Sequence, residues 1–369
     1  MDKEQKTTHA SVDSFGCVDC GADLKFKPGT SNLTCEYCGA KNEIPILDEA
    51  IEELDFHEYF EKGSSEEEQL EISLVKCDTC GAESSLEPNV TSSSCPYCAT
   101  PLVVSSAHSE SILQPKSLLP FKLDKNEAIA AFKAWINKLW FAPNILKKAV
   151  LSFDHFKGVY LPFWTYDANT STSYTGQRGV HYYVTESYTT TENGKSVSKT
   201  RQVQKTRWYS ASGHVNHAFD DVLVPASESL PQKQVTELEP WDLENLVPFS
   251  TKYLSGFITE KYQVNLEKGF DKARLIMDGK ITTLIHRDIG GDVQRIHSRN
   301  TQHSDITFKH ILLPAYVSAY KFKDKLYRFM VNARTGEVQG ERPWSAIKIA
   351  FAVIGVAVVV GALYLLFGQ

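Results

Sequence analysis

Cys17-VDCGADLKFKPGTSNLTCEY-Cys38 recurs sixty residues later as Cys77-DTCGAESSLEPNVTSSSCPY-Cys98, and the two stretches use all eight cysteines of the chain. Each reads Cys-x2-Cys-x14-Cys-x2-Cys. The repeat extends past the sulfurs, because Gly21 and Gly81, Ala22 and Ala82, Pro28 and Pro88, Thr34 and Ser94, and Tyr37 and Tyr97 occupy equivalent places. Two residues between cysteines let one tight turn aim both sulfurs at a single ion. The Gly after Cys20, Cys38 and Cys80 suits the left-handed backbone that completes such a knuckle, and Ala99 departs from this after Cys98. Two knuckles joined by a short hairpin make a closed site of four thiolates, the zinc-ribbon arrangement. The metal ligands are therefore Cys17, Cys20, Cys35 and Cys38 for one zinc and Cys77, Cys80, Cys95 and Cys98 for a second, both structural. Eight cysteines in 369 residues, with no apolar stretch in residues 1–10, point to a reducing cytosol and not to a disulfide scaffold or a secretory leader.

Charge divides the chain. Residues 1–110 carry seven Lys and no Arg against 22 Asp plus Glu, a net of -15, which leaves +9 for residues 111–369. Two four-thiolate zinc sites would lower the formal charge of -6 to about -10. A polyanion-binding module needs Lys/Arg clusters, so the N-terminal third has the wrong sign for DNA or RNA. Between the ribbons, 47–72 reads as an acidic helix with Ile51, Leu54, Phe56, Tyr59 and Phe60 as its apolar stripe, either a solvated spacer or a docking helix for a basic groove.

At the other end, Ile349-AFAVIGVAVVVGALYLL-Phe367 is uncharged over nineteen residues. At 1.5 Å per residue it spans about 28 Å, the thickness of a bilayer's hydrocarbon. Trp344 and Tyr364 mark the two interfaces, and Arg342 and Lys348 on the upstream flank keep the large N-terminal part cytosolic. Ala357 and Gly361 form a small-xxx-small pair suited to helix pairing in a homo-oligomer.

The region between is mixed. Residues 126–142 place Ile129, Phe132, Trp135, Ile136 and Leu139 at helical spacing behind an N-cap at Asp124. From Gly158 to Gly213 the period is two, and Asn193-Gly194 turns a hairpin whose arms, polar on both faces, project from the domain. A second long helix is expected over 266–287, then a strand pair at 308–322 and 327–332. Leu119-Pro120-Phe121, a helix and Leu161-Pro162-Phe163-Trp164 find an echo in Val247-Pro248-Phe249, a helix and Leu313-Pro314-Ala315-Tyr316. The fold class is thus α+β: zinc ribbon 1 over 1–46, an acidic helical linker over 47–72, zinc ribbon 2 over 73–106, a β-rich mixed domain with internal duplication over 107–343 and a transmembrane helix over 344–369. His214-x2-His217-x2-Asp220-Asp221 holds metal-capable side chains but reads as a turn or cap in a loop. His286, Arg287 and Asp288 before Gly290-Gly291 read as a helix end. No phosphate-binding loop, nucleophile elbow or H-E-x-x-H is present, so no catalytic residue is assigned.

With the paired ribbons and the apolar tail, the segments Gly158-VYLPFWTYDANT, Ser212-GHVNHAFDDVLVPAS, Leu238-EPWDLENLVPF and Val331-NARTGEVQGERPW make the chain resemble a bacterial family of tail-anchored double zinc-ribbon membrane proteins. Members are often labelled as similar to the zinc region of the primosomal replication-restart helicase, or as carrying a ribbon of the transcription-factor-IIB type. That likeness is confined to the Cys-x-x-Cys units, and this chain lacks the helicase's phosphate-binding loop. The resemblance implies a non-enzymatic adaptor in envelope-stress systems with phage-shock-protein-A-like and SPFH-domain proteins as partners. Its ribbons would be held out in the cytosol. The rival reading is a nucleic-acid-binding ribbon protein of replication or transcription.

Overall fold

The structure is a computed structural model that describes residues 15–45, 50–62, 69–85, 92–103, 107–143, 156–192, 194–322 and 325–367. Its architecture is α+β, with the two four-cysteine clusters at the N-terminal side and one apolar helix at the C-terminus. The body is organised by three very long strands. β1 (Ser117–Leu118) and helix α1 (Lys125–Lys138) lead into β2 (Lys157–Glu192) and β3 (Lys195–Pro225); β4 (Ile258–Thr259) and helix α2 (Leu266–Ile289) lead into β5 (Val293–Phe322) and β6 (Lys325–Asn332). In the sheet β3, β2 and β5 lie side by side and antiparallel, with β1 and β6 along successive stretches of β5's other edge.

Both helices are delimited by the signals that the sequence carries. Asp124 and Glu127 form a reciprocal capping box at the start of α1, whose buried face is Ala128, Phe132 and Ile136. Asn265 caps α2, and Gly290, at φ +65, ends it. Gly269 brings α2 close to the sheet, since a Cβ there would lie 2.2 Å from Tyr166 Oη and 2.9 Å from Trp164.

The duplication is real, but its register differs from the sequence expectation. Val247–Pro248 pairs with β1 as a neighbour and is not its counterpart; the counterpart is β4. Ser117 and Ile258, Asp124 and Asn265, Ala128 and Gly269, Phe132 and Ala273, and Ile136 and Met277 share one sequence offset and equivalent places. The hydrogen bonds repeat as well. Leu119 N donates to Leu312 O as Glu260 N does to Tyr160 O, and Ala226 N donates to Pro162 O as Ala333 N does to Pro314 O. Trp164 Nε1 reaches Val264 O at 2.8 Å where Tyr316 Oη reaches Leu123 O at 3.1 Å. Two βαββ units thus face each other across the antiparallel β2–β5 pair. Val247-Pro248-Phe249 matched by composition alone, while β4 carries no Leu-Pro signature.

The 47–72 segment is not a continuous acidic helix. Leu54–Asp55 adds as a short strand to Thr307–Phe308 of β5, among the described residues of the segment only Phe56–Lys62 is helical, and a strand has begun by Gln69. Residues 46–49 and 63–68 lie outside the described residues. Part of the expected apolar stripe is instead spent inward: Phe56 packs 4.9 Å from Phe270 and Tyr59 lies 5.3 Å from Phe308, while Phe60 stays 51% exposed. Burying aromatics against the sheet outweighs the local preference of an acidic stretch for an exposed helix.

Candidate metal centres

Each of the four knuckles repeats one backbone pattern. The first cysteine's carbonyl accepts from the residue four places on, at 2.8 Å for Gly21, 3.0 Å for Gly39, 2.8 Å for Gly81 and 2.9 Å for Ala99. The turn demands a left-handed residue, and Ala99 takes φ +60 where the other three knuckles use Gly. The knuckles bring Cys17, Cys20, Cys35 and Cys38 together, and Cys77, Cys80, Cys95 and Cys98, with the four sulfurs of each set within 4.8 Å of one another. Sulfur separations are 3.6 Å for Cys17–Cys38, 3.5 Å for Cys20–Cys35, 3.5 Å for Cys77–Cys98 and 3.6 Å for Cys80–Cys95. Those distances are far too long for disulfides. They are close to the ~3.8 Å edge of a tetrahedron with metal–sulfur bonds of about 2.3 Å, so both donor sets fit a zinc-sized ion with no position left for water. The Cys80–Cys95 hydrogen bond holds Cys80 down at about 5 and pushes Cys95 up, and the backbone N–H groups of Cys38 and Tyr37 hold Cys35 at about 7.

The ribbons are not held out from the body. In ribbon 1, Phe26 N donates to Ser255 O at 3.0 Å, Gly29 N donates to Phe121 O at 2.9 Å, and the Phe26 ring lies 5.2 Å from Tyr253. Its tip stays outside, with Tyr37 86% exposed. In ribbon 2 the equivalent Tyr97 is 0% exposed. Tyr97 Oη donates to Glu260 Oε2 at 2.8 Å, Ser227 Oγ donates to Glu260 Oε1 at 2.8 Å, and Arg328 Nε donates to Tyr97 O at 2.9 Å. One knuckle of the second cluster is therefore clamped between β4 and β6. Sequence reading missed Glu260, because Ile258-Thr-Glu-Lys261 carries no motif and the partner is 163 residues away.

Burial raises the Glu260 carboxyl to about 7 from an ordinary 4.5. The folded protein holds this proton more tightly than the unfolded chain does. Its favourable contribution is therefore present below about pH 4.5 and is lost as pH climbs towards 7. Glu260→Gln keeps an acceptor for Tyr97 and removes the charge. It is expected to raise stability at pH 8 by up to about 3 kcal/mol and to make little difference at pH 4.5, measured as the urea midpoint of the two proteins at each pH. Equal midpoints at both pH values would contradict it.

The His214-x2-His217-x2-Asp220-Asp221 run lies within β3 and not in a loop. His214 Nε2 meets Ser171 Oγ at 2.9 Å, while His217 packs edge-on against Phe219 at 4.6 Å. Three residues apart on a strand, the two rings face opposite sides. Asp220 and Asp221 do converge with Asp167. Lys309 already stands in that group, 2.8 Å from Asp221 Oδ1 and 2.8 Å from Glu53 Oε1. Burial and then the hydrogen bond to Glu53 raise Asp167 to about 7, and the Asp167 bond holds Glu53 down at about 2. This is an ion-pair network tying the 50–62 segment to the sheet.

Helix α3 (Ala346–Phe367) follows the body directly, is uncharged from Ile349 onward and is 0% buried, long enough to cross a membrane. Fold and site together define an α+β protein with two closed four-cysteine centres and an uncovered apolar C-terminal helix. The uncharacterized protein YdjG of Bacillus subtilis (strain 168) is similar to it, 28% identical over 349 residues that span 93% of this chain and 94% of that protein. The likeness therefore covers far more than the ribbons. No family model and no solved structure matches the chain.

Proposed function

We propose that the protein is a non-enzymatic adaptor whose two zinc ions are structural and whose C-terminal helix anchors it, with the body in the cytosol, to the cell membrane, where it docks soluble proteins. The observation that supports this best is the combination, in one body, of closed four-sulfur centres with an apolar helix that nothing covers. A four-thiolate ion has no open position for substrate, so its contribution is folding energy. Arg342 and Lys348, on the body's side of the helix, favour a cytosolic body by the positive-inside bias. The resemblance to tail-anchored double-ribbon proteins suggests phage-shock-protein-A-like or SPFH-domain proteins as partners in envelope stress. Nucleic-acid binding by the ribbons is disfavoured by the excess of acidic residues around them.

Cell fractionation tests the reading. With the full chain, a phage-shock-protein-A-like or SPFH-domain partner should co-fractionate with membranes in larger amount than in cells making only residues 1–343. Equal recruitment by both forms would remove the adaptor role.

A further inference from the structure

The β2–β3 hairpin has two chemically different faces. From Ala168↔Phe219 to Glu192↔Lys195 the register is unbroken, so even-numbered residues of β2 share a face with odd-numbered residues of β3. Near the body this face lies under α2, with Tyr174, Ala211 and Val215 in the same cluster as Ile285 and Ile289. The helix ends at Gly290, level with Gly176, and the face continues uncovered. Between Arg178 and Tyr209, excluding the turn, it carries Arg178, Lys199, Arg201, Lys205 and Arg207 against one acid, Glu186, which lies 2.9 Å from Lys205 and 4.0 Å from Arg201 and leaves a surplus of four positive charges. The opposite face over the same stretch has no Lys, Arg, Asp or Glu and presents Ser, Thr and Gln with His181, Tyr183 and Trp208. Four of the five cations stand at alternate positions of β3, which is the edge of its sheet, with no described strand on its outer side. Every second residue of such an edge offers an unpaired N–H and C=O.

We propose that this arm captures an acidic, extended segment of a soluble protein as an added strand on the open edge of β3, with alternate carboxylates opposite Lys199, Arg201, Lys205 and Arg207. The proposal rests on the adaptor reading and names its docking surface. An edge-to-edge partner arm from a second copy would set like charges against each other. Nucleic acid has no peptide groups for the edge. The exposed rings that would stack bases already hold guanidinium groups, Arg207 over Tyr182 at 5.2 Å, Arg201 over Tyr188 at 5.6 Å and Arg178 over Tyr209 at 5.7 Å. The anchor is remote along the sheet. The anchor leaves beside the strand Val338–Gly340, which lies through β6 and β5 at the Lys157 end of β2, about 115 Å of strand from Glu192.

The test uses the full chain in phosphatidylcholine nanodiscs and four labelled probes: an eleven-residue peptide alternating Glu and Thr, a peptide of the same composition with all Glu in one block, a DNA duplex and phosphatidylglycerol vesicles. The alternating peptide should bind at least about tenfold tighter than the block peptide at about 150 mM salt, and slow hydrogen exchange in β3 between Lys195 and Tyr209. Arg201→Glu, Lys205→Glu and Arg207→Glu together should abolish that binding and create binding of a Lys/Thr alternating peptide, which also shows that the variant arm is folded. Equal binding of both acidic peptides, tighter binding of the duplex or of phosphatidylglycerol vesicles, or no binding would each overturn the proposal. If the peptide fails to bind while the full chain still recruits its partner to membranes, the arm is wrong and the adaptor reading stands; the reverse result sinks the adaptor reading alone.

Discussion

Cys95→Ser is expected to lose one zinc and to destabilise the whole body, whereas Cys35→Ser should lose one zinc and loosen mainly ribbon 1. Both variants remove a ligand from a closed centre, and the binding free energy of such an ion, about 10–16 kcal/mol, rivals or exceeds the total stability of a typical domain. What differs is where the loss goes. Ribbon 1 has the tip of its Cys35–Cys38 knuckle at the surface, with Tyr37 86% exposed, and meets the body through Phe26, Gly29 and the apolar cluster that Cys35 shares with Phe121 and Tyr160. The Cys95–Cys98 knuckle of ribbon 2 sits inside, where Tyr97 satisfies buried Glu260 and accepts from Arg328. Melting it would leave a fully buried carboxyl with one hydroxyl partner fewer and expose the cluster that contains Val159, Leu161, Ile311 and Met330. Elemental analysis should find two zinc ions in the parent and one in each variant. Limited proteolysis should then cut within residues 15–45 in Cys35→Ser and throughout β2 and β5 in Cys95→Ser. Two indistinguishable cleavage patterns would show that Tyr97 does not couple its centre to the sheet.

Ending the chain after Pro343 is expected to convert a carbonate-resistant membrane protein into a soluble one that keeps both zinc ions and its thermal midpoint. Helix α3 buries none of its residues in the body. Its root touches the body only lightly: Ser345 N donates to Phe141 O at 2.8 Å, and Lys348 Nζ donates to Ala142 O at 2.8 Å. With a further bond from Lys348 Nζ to Trp140 O at 3.2 Å, the three are worth about 2–3 kcal/mol, small beside the stability of the body. A truncated protein that stays in the pellet after the carbonate wash would reveal a second attachment, and one that aggregates without zinc would show that the helix belongs to the fold.

The amino-acid sequence alone determined the features that depend on near neighbours. Cys-x2-Cys spacing places sulfurs on a turn whatever lies beyond it, Asp124 with Glu127 and Gly290 delimit their helices through bonds no more than four residues long, and a nineteen-residue uncharged run is a membrane-length helix by composition. The period of two from Gly158 onward was equally legible, and so was the hairpin at Asn193-Gly194. Only the tertiary structure decided which of two similar tyrosines is buried, because Tyr37 and Tyr97 have the same local setting and differ in whether a carboxyl, that of Glu260 just after β4, comes to meet them. It decided the fate of the acidic segment too, since Phe56 packs on Phe270 more than two hundred residues away and Leu54–Asp55 adds to β5 as a strand. The register of the duplication was settled by hydrogen bonds that β4 makes through its backbone, which residue type does not record. The same holds for the arm: alternation along β3 is written in the sequence, but that its charged face lies uncovered follows from where α2 stops.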